Sequence, residues 1–432
     1  MKTTYQITEY GSFLTGKQVE GYITLPEATF EQLENFILSN KTKETDALEL
    51  MELSAKRGLG KVITAKNYVG VLTMKDGSSI EILPKIYSKT SYHEGQIKQL
   101  VVAMLKVLRD SPYKMLQSTT VDIEKMNIFE IFVRMFIDEV FFLVKRGLKS
   151  SYETVSANET FFKGKLLFAE QLKHNSIHKE RAYVAFDAFH PNRPENKLIK
   201  STLRSLYKQT VSVKNKTDLK TLLNAFHEVP ASTNYADDFA KIVPDRMMKE
   251  YAQALRWCKV FLTGKSFTSF SGSETAFALL FPMEMLFERY VTVQLRKVLN
   301  PADFQVSAQD KSHYLFTLPT KKFRMKPDIV VTRRRDDAIF ICDTKWKLLA
   351  DQKANYGISQ ADMYQMYAYQ KKYKARSITL LYPLAEQISN QNIEFDSGDG
   401  VIVRVRFVDL FDVKNSLAAI TEEFTSPPQS FY

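Results

Sequence analysis

The sequence predicts a multidomain α/β protein, α+β overall, with a β-rich N-terminal domain, a helical middle region and a C-terminal α/β core. Three observations predict it. Alternating apolar runs around an Asp76-Gly77 turn mark residues 1–90. Apolar residues at helical spacing mark residues 91–262. Beyond residue 263 the order becomes helix, strands, helix, strand, which is the grammar of an α/β layer structure.

The chain has 432 residues, enough for two or three domains at about 100–200 residues each. Hydrophobic residues are 44% and charged residues 25%, so a large core needs no covalent staples. The two cysteines, Cys258 and Cys342, exclude a disulfide framework and a cysteine-rich zinc cluster. Lys and Arg number 60 against 49 Asp and Glu, a net charge of +11 that suits a polyanionic partner such as nucleic acid. The polar N-terminus has no apolar signal-peptide core, and a cytoplasmic protein is expected.

In the N-terminal region a helix is expected over 30–38. Strands are expected at Lys61–Ala65 and on both sides of Asp76-Gly77, where Val69, Val71, Ile80 and Ile82 alternate and Pro84 closes the second strand. In the middle region helices are expected at Gln96–Arg109, Ile128–Lys145, Asn196–Lys208 and Met247–Leu262, with one strand-like piece over 160–168. Residues 127–148 are the most apolar stretch. Glu130, Arg134, Asp138 and Glu139 exclude a membrane span, and the four-residue spacing of the first three reads as one wet stripe on a core helix. Residues 263–275 read as a linker. Phe281–Leu299 and Ser359–Tyr373 read as helices. Tyr314–Leu318, Arg324–Thr332, Ala338–Lys345 and Ser377–Tyr382 read as strands.

The chemistry concentrates in residues 324–347. Two apolar runs flank the charged turn Arg333–Asp337, and each carries one carboxylate, Asp328 after Pro327 and Asp343 after Cys342. If the hairpin is centred between Arg335 and Asp336, these acids stand opposite each other. Opposed like charges destabilise a ladder unless something offsets them, and a hard divalent cation does so. Lys345 lies two residues beyond Asp343, on the same face. Two acids to hold Mg²⁺ and a lysine beside them make up the Pro-Asp…Asp-x-Lys arrangement of the PD-(D/E)xK restriction-endonuclease-like superfamily. Glu288, on the preceding helix, is a further candidate ligand, with Asp328 and Asp343. Asp362, Gln365 and Tyr369 form one stripe of the later helix, of which Gln365 and Tyr369 match a Gln/Tyr motif of RecB-like nucleases. Met363, Met366 and Tyr367 are expected to pack.

The sequence resembles the McrC family, the nuclease subunits of McrBC-type modification-dependent (5-methylcytosine) restriction systems. The resemblance rests on KPDIVV, ICDTKWK, ISQADMYQMYAYQ and MEMLFERY, and upstream on RGLKSSY, FFKGKLLFAEQL, HPNRPENKLIK and YVGVLTMKDGSSIEILPKI. It implies a Mg²⁺-dependent endonuclease acting on double-stranded DNA, with an AAA+ GTPase partner, McrB-like, bound through the N-terminal region and stimulated in its hydrolysis. No nucleotide is expected on this chain. Gly264-Lys265-Ser266 has Lys259 where a phosphate-cradling loop needs glycine, and Gly58-Leu59-Gly60-Lys61 runs into Val62. A stand-alone RecB-like nuclease and a non-catalytic GTPase-activating scaffold are the alternatives. His174 and His178 lack a third ligand and read as a solvated pair. The basic helix 196–208 and the cluster Arg333–Arg335 could meet phosphates or simply be charged surface.

Overall fold

The computed structural model describes residues 3–39, 50–74, 76–86, 94–107, 127–243, 248–263 and 275–425. The chain forms two compact units. One comprises residues 1–125, 272–276 and 280–432, and the other residues 126–271 and 277–279. The three regions expected from sequence, 1–90, 91–262 and 263–432, are therefore not three units: the N-terminal and C-terminal regions share one. The expected linker 263–275 lies almost wholly outside the described residues, as does the end of the helix expected to reach Arg109.

In the first unit the Asp76-Gly77 hairpin forms as expected. Tyr68–Met74 and Ser79–Leu83 pair antiparallel with Thr73 opposite Ser79 and Gly70 opposite Ile82. Asp76 closes the turn by accepting the Ser78 amide at 2.7 Å, and Gly77 takes φ 86°, a conformation glycine adopts without strain. Thr4–Thr8 adds to this sheet in parallel. A second four-stranded sheet is built from Ser12–Thr15, Tyr22–Leu25, Met51–Lys56 and Gly60–Ala65. The helix Glu27–Ser39 buries Phe30, Leu33, Phe36 and Ile37.

The C-terminal part of this unit is a six-stranded mixed sheet. Its spatial order is Phe304–Ala308, Ile329–Arg333, Ala338–Thr344, Ser377–Pro383, Ile402–Val408 and Ile393–Asp396. The first three strands are antiparallel to one another in turn. The step from Ala338–Thr344 to Ser377–Pro383 is parallel, and the helix Gln360–Tyr373 makes the crossover. Alternation along Ala338–Thr344 sends Ile341 toward that helix, into a core with Met366, Tyr369, Ile378 and Leu380. Phe340 points the other way, its ring 4.8 Å from that of Phe424 on the helix Val413–Thr425. This face also carries the helix Met283–Val298, whose Phe287 ring lies 5.4 Å from Trp346. The strands at 304–308, 393–396 and 402–408 and the last helix go beyond the elements read from sequence.

A buried polar contact joins the N-terminal strands to this layer. The Trp346 indole Nε1 lies 3.1 Å from both carboxylate oxygens of Glu9, which also accepts the Lys85 amide at 3.0 Å. Burial pushes the Glu9 carboxyl up to about 7, against the pull of these donors. A raised carboxylate contributes stability that is full below its unfolded value near 4.5 and is lost as pH rises through 7. Glu9→Gln, which keeps an acceptor for the indole, is expected to stabilise the protein at pH 8 by about 3 kcal/mol and by under ~1 kcal/mol at pH 5. Thermal unfolding of both proteins at the two pH values checks this; an equal shift at both would contradict it.

The second unit differs most from expectation. Residues Ser151–Glu159 and Ala182–His190 pair antiparallel over their full length, with Lys165–Leu166 on the other edge of Ala182–His190. Only a short strand was expected here. The stripe on helix Ile128–Arg146 is only partly wet, with Asp138 34% exposed and Glu130 buried. Glu130 is 3% exposed and accepts from Thr210 Oγ1, the Val211 amide and Asn215 Nδ2 at 2.5–2.7 Å, so it caps the start of helix Val213–Ala225. Arg134 pairs with Asp138 of its own helix and with Asp218 of the next. The stripe is a polar seam between two helices. His174 and His178 are exposed and pair with Glu170 and Glu180, as a solvated pair would. No helix among the described residues is long and apolar enough to cross a membrane.

Candidate active site

The site is built on the hairpin Ile329–Arg333/Ala338–Thr344. Its register, Ile329 opposite Cys342 and Arg333 opposite Ala338, is the one expected, so the next pair outward is Asp328 and Asp343. The turn is locked from inside. Arg333 is 2% exposed, forks onto Asp336 at 2.6 and 2.8 Å and donates to the Phe424 carbonyl at 2.7 Å. Arg334 and Arg335 donate to the carbonyls of Pro301 and Thr425. This cluster is structural in the folded chain; its guanidinium groups are turned to protein carbonyls.

Asp328 Oδ2 accepts both the amide and the hydroxyl of Thr344 at 2.8 Å. Thr344, an unremarkable position in the motif string, thus orients one acid. Asp343 is 1% exposed. Its Oδ2 lies 2.7 Å from Lys345 Nζ, yet off the line of a hydrogen bond, so this buried oxygen has no aligned donor. Burial, and then the charge of Asp328, push its carboxyl up to about 6; Lys345 opposes them. Burial pulls the Lys345 ammonium down, but Asp343, Asp362 and Asp328 outweigh it and the net shift is upward. Lys345 also reaches Asp362 at 3.6 Å and Gln365 Oε1 at 3.3 Å.

The helix Gln360–Tyr373 supplies the opposite wall. Gln365 Nε2 donates to the Tyr369 hydroxyl at 2.8 Å, so Tyr369 steadies the amide whose oxygen meets Lys345. Met366 is buried as expected, but Tyr367 is 40% exposed and donates to Asp399 at 2.6 Å. Glu288 stands beside Asp328, whose charge, after burial, raises its pKa. Its Oε1 accepts Gln309 Nε2 at 2.7 Å, and the Gln309 amide donates to the Asp328 carbonyl at 2.8 Å. Among the described residues no three His, Cys, Asp or Glu side chains form a ready metal cage. Asp362 was legible as part of the helical stripe, but its approach to Lys345 was not.

The donor set fits a hard cation. Two carboxylates face each other across a ladder, one of them buried with an oxygen left without an aligned donor. Mg²⁺ characteristically takes one or two carboxylates and completes its shell with water and substrate phosphate oxygens, so it needs no closed cage. Asp328 and Asp343 would hold it, and Glu288, whose carboxyl Asp328 pushes upward, is the further acid at the site.

Two solved structures are similar to the chain. One is a half-complex of Thermococcus gammatolerans McrB AAA+ hexamers with bound McrC. Its matching chain is 18% identical, with 98% of this chain and 100% of that chain covered and a TM-score of 0.69. The other is the Thermococcus gammatolerans McrBC complex, at 18% identity, 69% and 88% coverage and a TM-score of 0.49. No curated protein matches the sequence. The family described as McrBC 5-methylcytosine restriction system component matches residues 63–383, most of the chain and all of the candidate site, and the chain belongs to that family.

Proposed function

We propose that the chain is the Mg²⁺-dependent DNA endonuclease subunit of an McrBC-type restriction complex, with a PD-(D/E)xK core that cuts duplex DNA together with an AAA+ GTPase partner. The observation that carries this reading is the placement of Asp328 and Asp343 just beyond the Ile329–Cys342 pair, near enough for the charge of Asp328 to raise the Asp343 carboxyl, with Lys345 2.7 Å from Asp343. Family membership supports it, and so does the similarity in fold to a chain solved with McrB hexamers.

When bound, Mg²⁺ polarises a phosphodiester and lowers the pKa of a coordinated water. The protein residues do the rest. Asp328, held by Thr344, and Asp343, held in the strand, fix two oxygens at the ladder. Lys345 keeps its proton next to Asp343 and sets a positive charge where negative charge builds on the phosphoryl oxygens. Gln365, anchored on Tyr369, keeps the ammonium in place. Asp343 is too buried to serve as a freely exchanging base, so its role is to ligate.

The test is plasmid cleavage by the purified chain mixed with its AAA+ GTPase partner and GTP. Cutting is expected with Mg²⁺ and none with EDTA; cutting that survives EDTA would overturn the metal assignment. The chain alone is expected to hydrolyse neither GTP nor ATP, because neither Gly-Lys segment has the spacing of a phosphate-cradling loop. GTP turnover of the pair is expected to exceed that of the partner alone, and an unchanged turnover would favour the stand-alone nuclease.

A further inference from the structure

Directly ahead of Asp328 the chain makes a small excursion that the nuclease reading leaves unused. Tyr314–Phe316 and Lys322–Arg324 form a two-stranded antiparallel hairpin outside the main sheet. Across residues 311–326 lie Lys311, Lys321, Lys322, Arg324 and Lys326, and not one carboxylate. All five cations are exposed. Three apolar side chains are exposed too: Phe316 at 55%, Leu318 at 83% and Phe323 at 71%, with the two phenyl rings edge to face at 5.8 Å. A free hairpin this small is marginal in water, and exposing aromatic and aliphatic groups at its tip gains it nothing.

Its base, in contrast, is clamped to the active-site helix. Met325, 6% exposed, lies in one core cluster with Tyr369 and Tyr373 of that helix. Tyr373 donates to Asp310 at 2.8 Å, and its ring lies 4.0 Å from that of His313. The Met325 amide closes onto the His313 carbonyl at 3.0 Å. An arm with a rigid root at the acids, a wholly cationic flank and an apolar tip has the composition of a nucleic-acid grip. Cations neutralise phosphates, and apolar tips meet sugar and base edges in a groove.

We propose that residues 311–326 form a DNA-gripping arm that binds the duplex backbone beside the scissile phosphate. The inference rests on the nuclease reading for its purpose, but its test does not need cutting. Lys311, Lys321 and Lys322 are the phosphate contacts. Arg324 is partly committed, since its Nε donates to the Tyr314 hydroxyl at 2.9 Å. Tyr369 and Tyr373 are positioning residues that fix the root of the arm.

The experiment measures binding of the full-length chain to a fluorescent DNA duplex of about 25 base pairs in EDTA, across a series of salt concentrations. The triple variant Lys311→Gln/Lys321→Gln/Lys322→Gln is expected to bind at least roughly tenfold more weakly at 100 mM salt. Its slope of log affinity on log salt should fall by about 2–3, near one per lost phosphate contact. The matching triple Lys→Arg variant should bind like the parent, since it keeps the charges. Parent-like binding by the Gln variant, or no duplex binding by the parent at low salt, overturns the arm. So does a Gln variant that keeps DNA but no longer binds the AAA+ partner, because the surface would then face protein. Arm-dependent binding by a chain that never cuts with Mg²⁺ would instead count against the nuclease reading and leave the arm standing.

Discussion

Asp343→Asn is expected to abolish Mg²⁺-dependent cleavage and at the same time make the protein more stable. Both results come from the same burial. Asp343 is 1% exposed and faces Asp328 across the ladder, and its carboxyl is pushed up to about 6 by burial and by that neighbour. A carboxylate whose pKa rises on folding costs nothing below its unfolded value near 3.8 and its full amount above about 6. At pH 8 the cost is up to about 3 kcal/mol, and asparagine removes it while keeping the shape. Cleavage should fall by at least about a thousandfold, because a metal ligand is lost. Lys345→Met should lose cleavage to a similar degree while retaining Mg²⁺ affinity, since an ammonium is not a ligand. Plasmid cleavage, calorimetric Mg²⁺ titration and thermal unfolding at pH 5 and pH 8 separate the roles. Equal loss of metal affinity in both variants would refute the division of labour. An Asn variant less stable than the parent at pH 8 would refute the account of a strained acid.

The hairpin was legible because its signals are local and redundant. Alternation, a charged turn and two misplaced acids agree on one register, and Ile329 opposite Cys342 is that register. The helical stripe was legible for the same reason: Asp362, Gln365 and Tyr369 lie on one side of Gln360–Tyr373. Sequence does not distinguish a polar stripe facing water from one facing a polar neighbour. Glu130 and Arg134 have the spacing of a solvated edge, and only the approach of Thr210, Asn215 and Asp218 makes them a seam. Strands Ser151–Glu159 and Ala182–His190 were missed because few of their side chains are buried, so neither has a clear apolar face to announce period two. The Glu9–Trp346 contact joins residues 337 positions apart, and no window along the chain contains both.

That contact ties the N-terminal strands to the layer that carries the candidate site. A fragment starting at residue 91 is expected to lose cooperative folding of its C-terminal part, or to unfold at least roughly 10 °C below the intact chain. Three losses add. Trp346, next to Lys345 in sequence, loses Glu9, leaving a buried indole N–H without its acceptor. The helix Met283–Val298, which carries Glu288, loses the Asn67 carbonyl that accepts the Met283 amide at 2.9 Å, and Glu284 loses the Asn67 side chain. Helix Glu94–Val107 loses the strand face beneath it, including the buried Lys98–Glu81 pair at 3.7 Å, and its apolar side meets water. Each loss is about 1–3 kcal/mol or more, and at about 2–4 °C per kcal/mol for a unit of this size they sum to the stated shift. Circular dichroism melts of fragment 91–432 beside the full chain decide it. A fragment that melts cooperatively at the parent temperature would restore the picture of separable domains. If it unfolds early, loss of partner stimulation in any such truncation reports on the fold of the active-site layer, and coupling must be probed by point variants that leave Glu9, Asn67 and Glu81 in place.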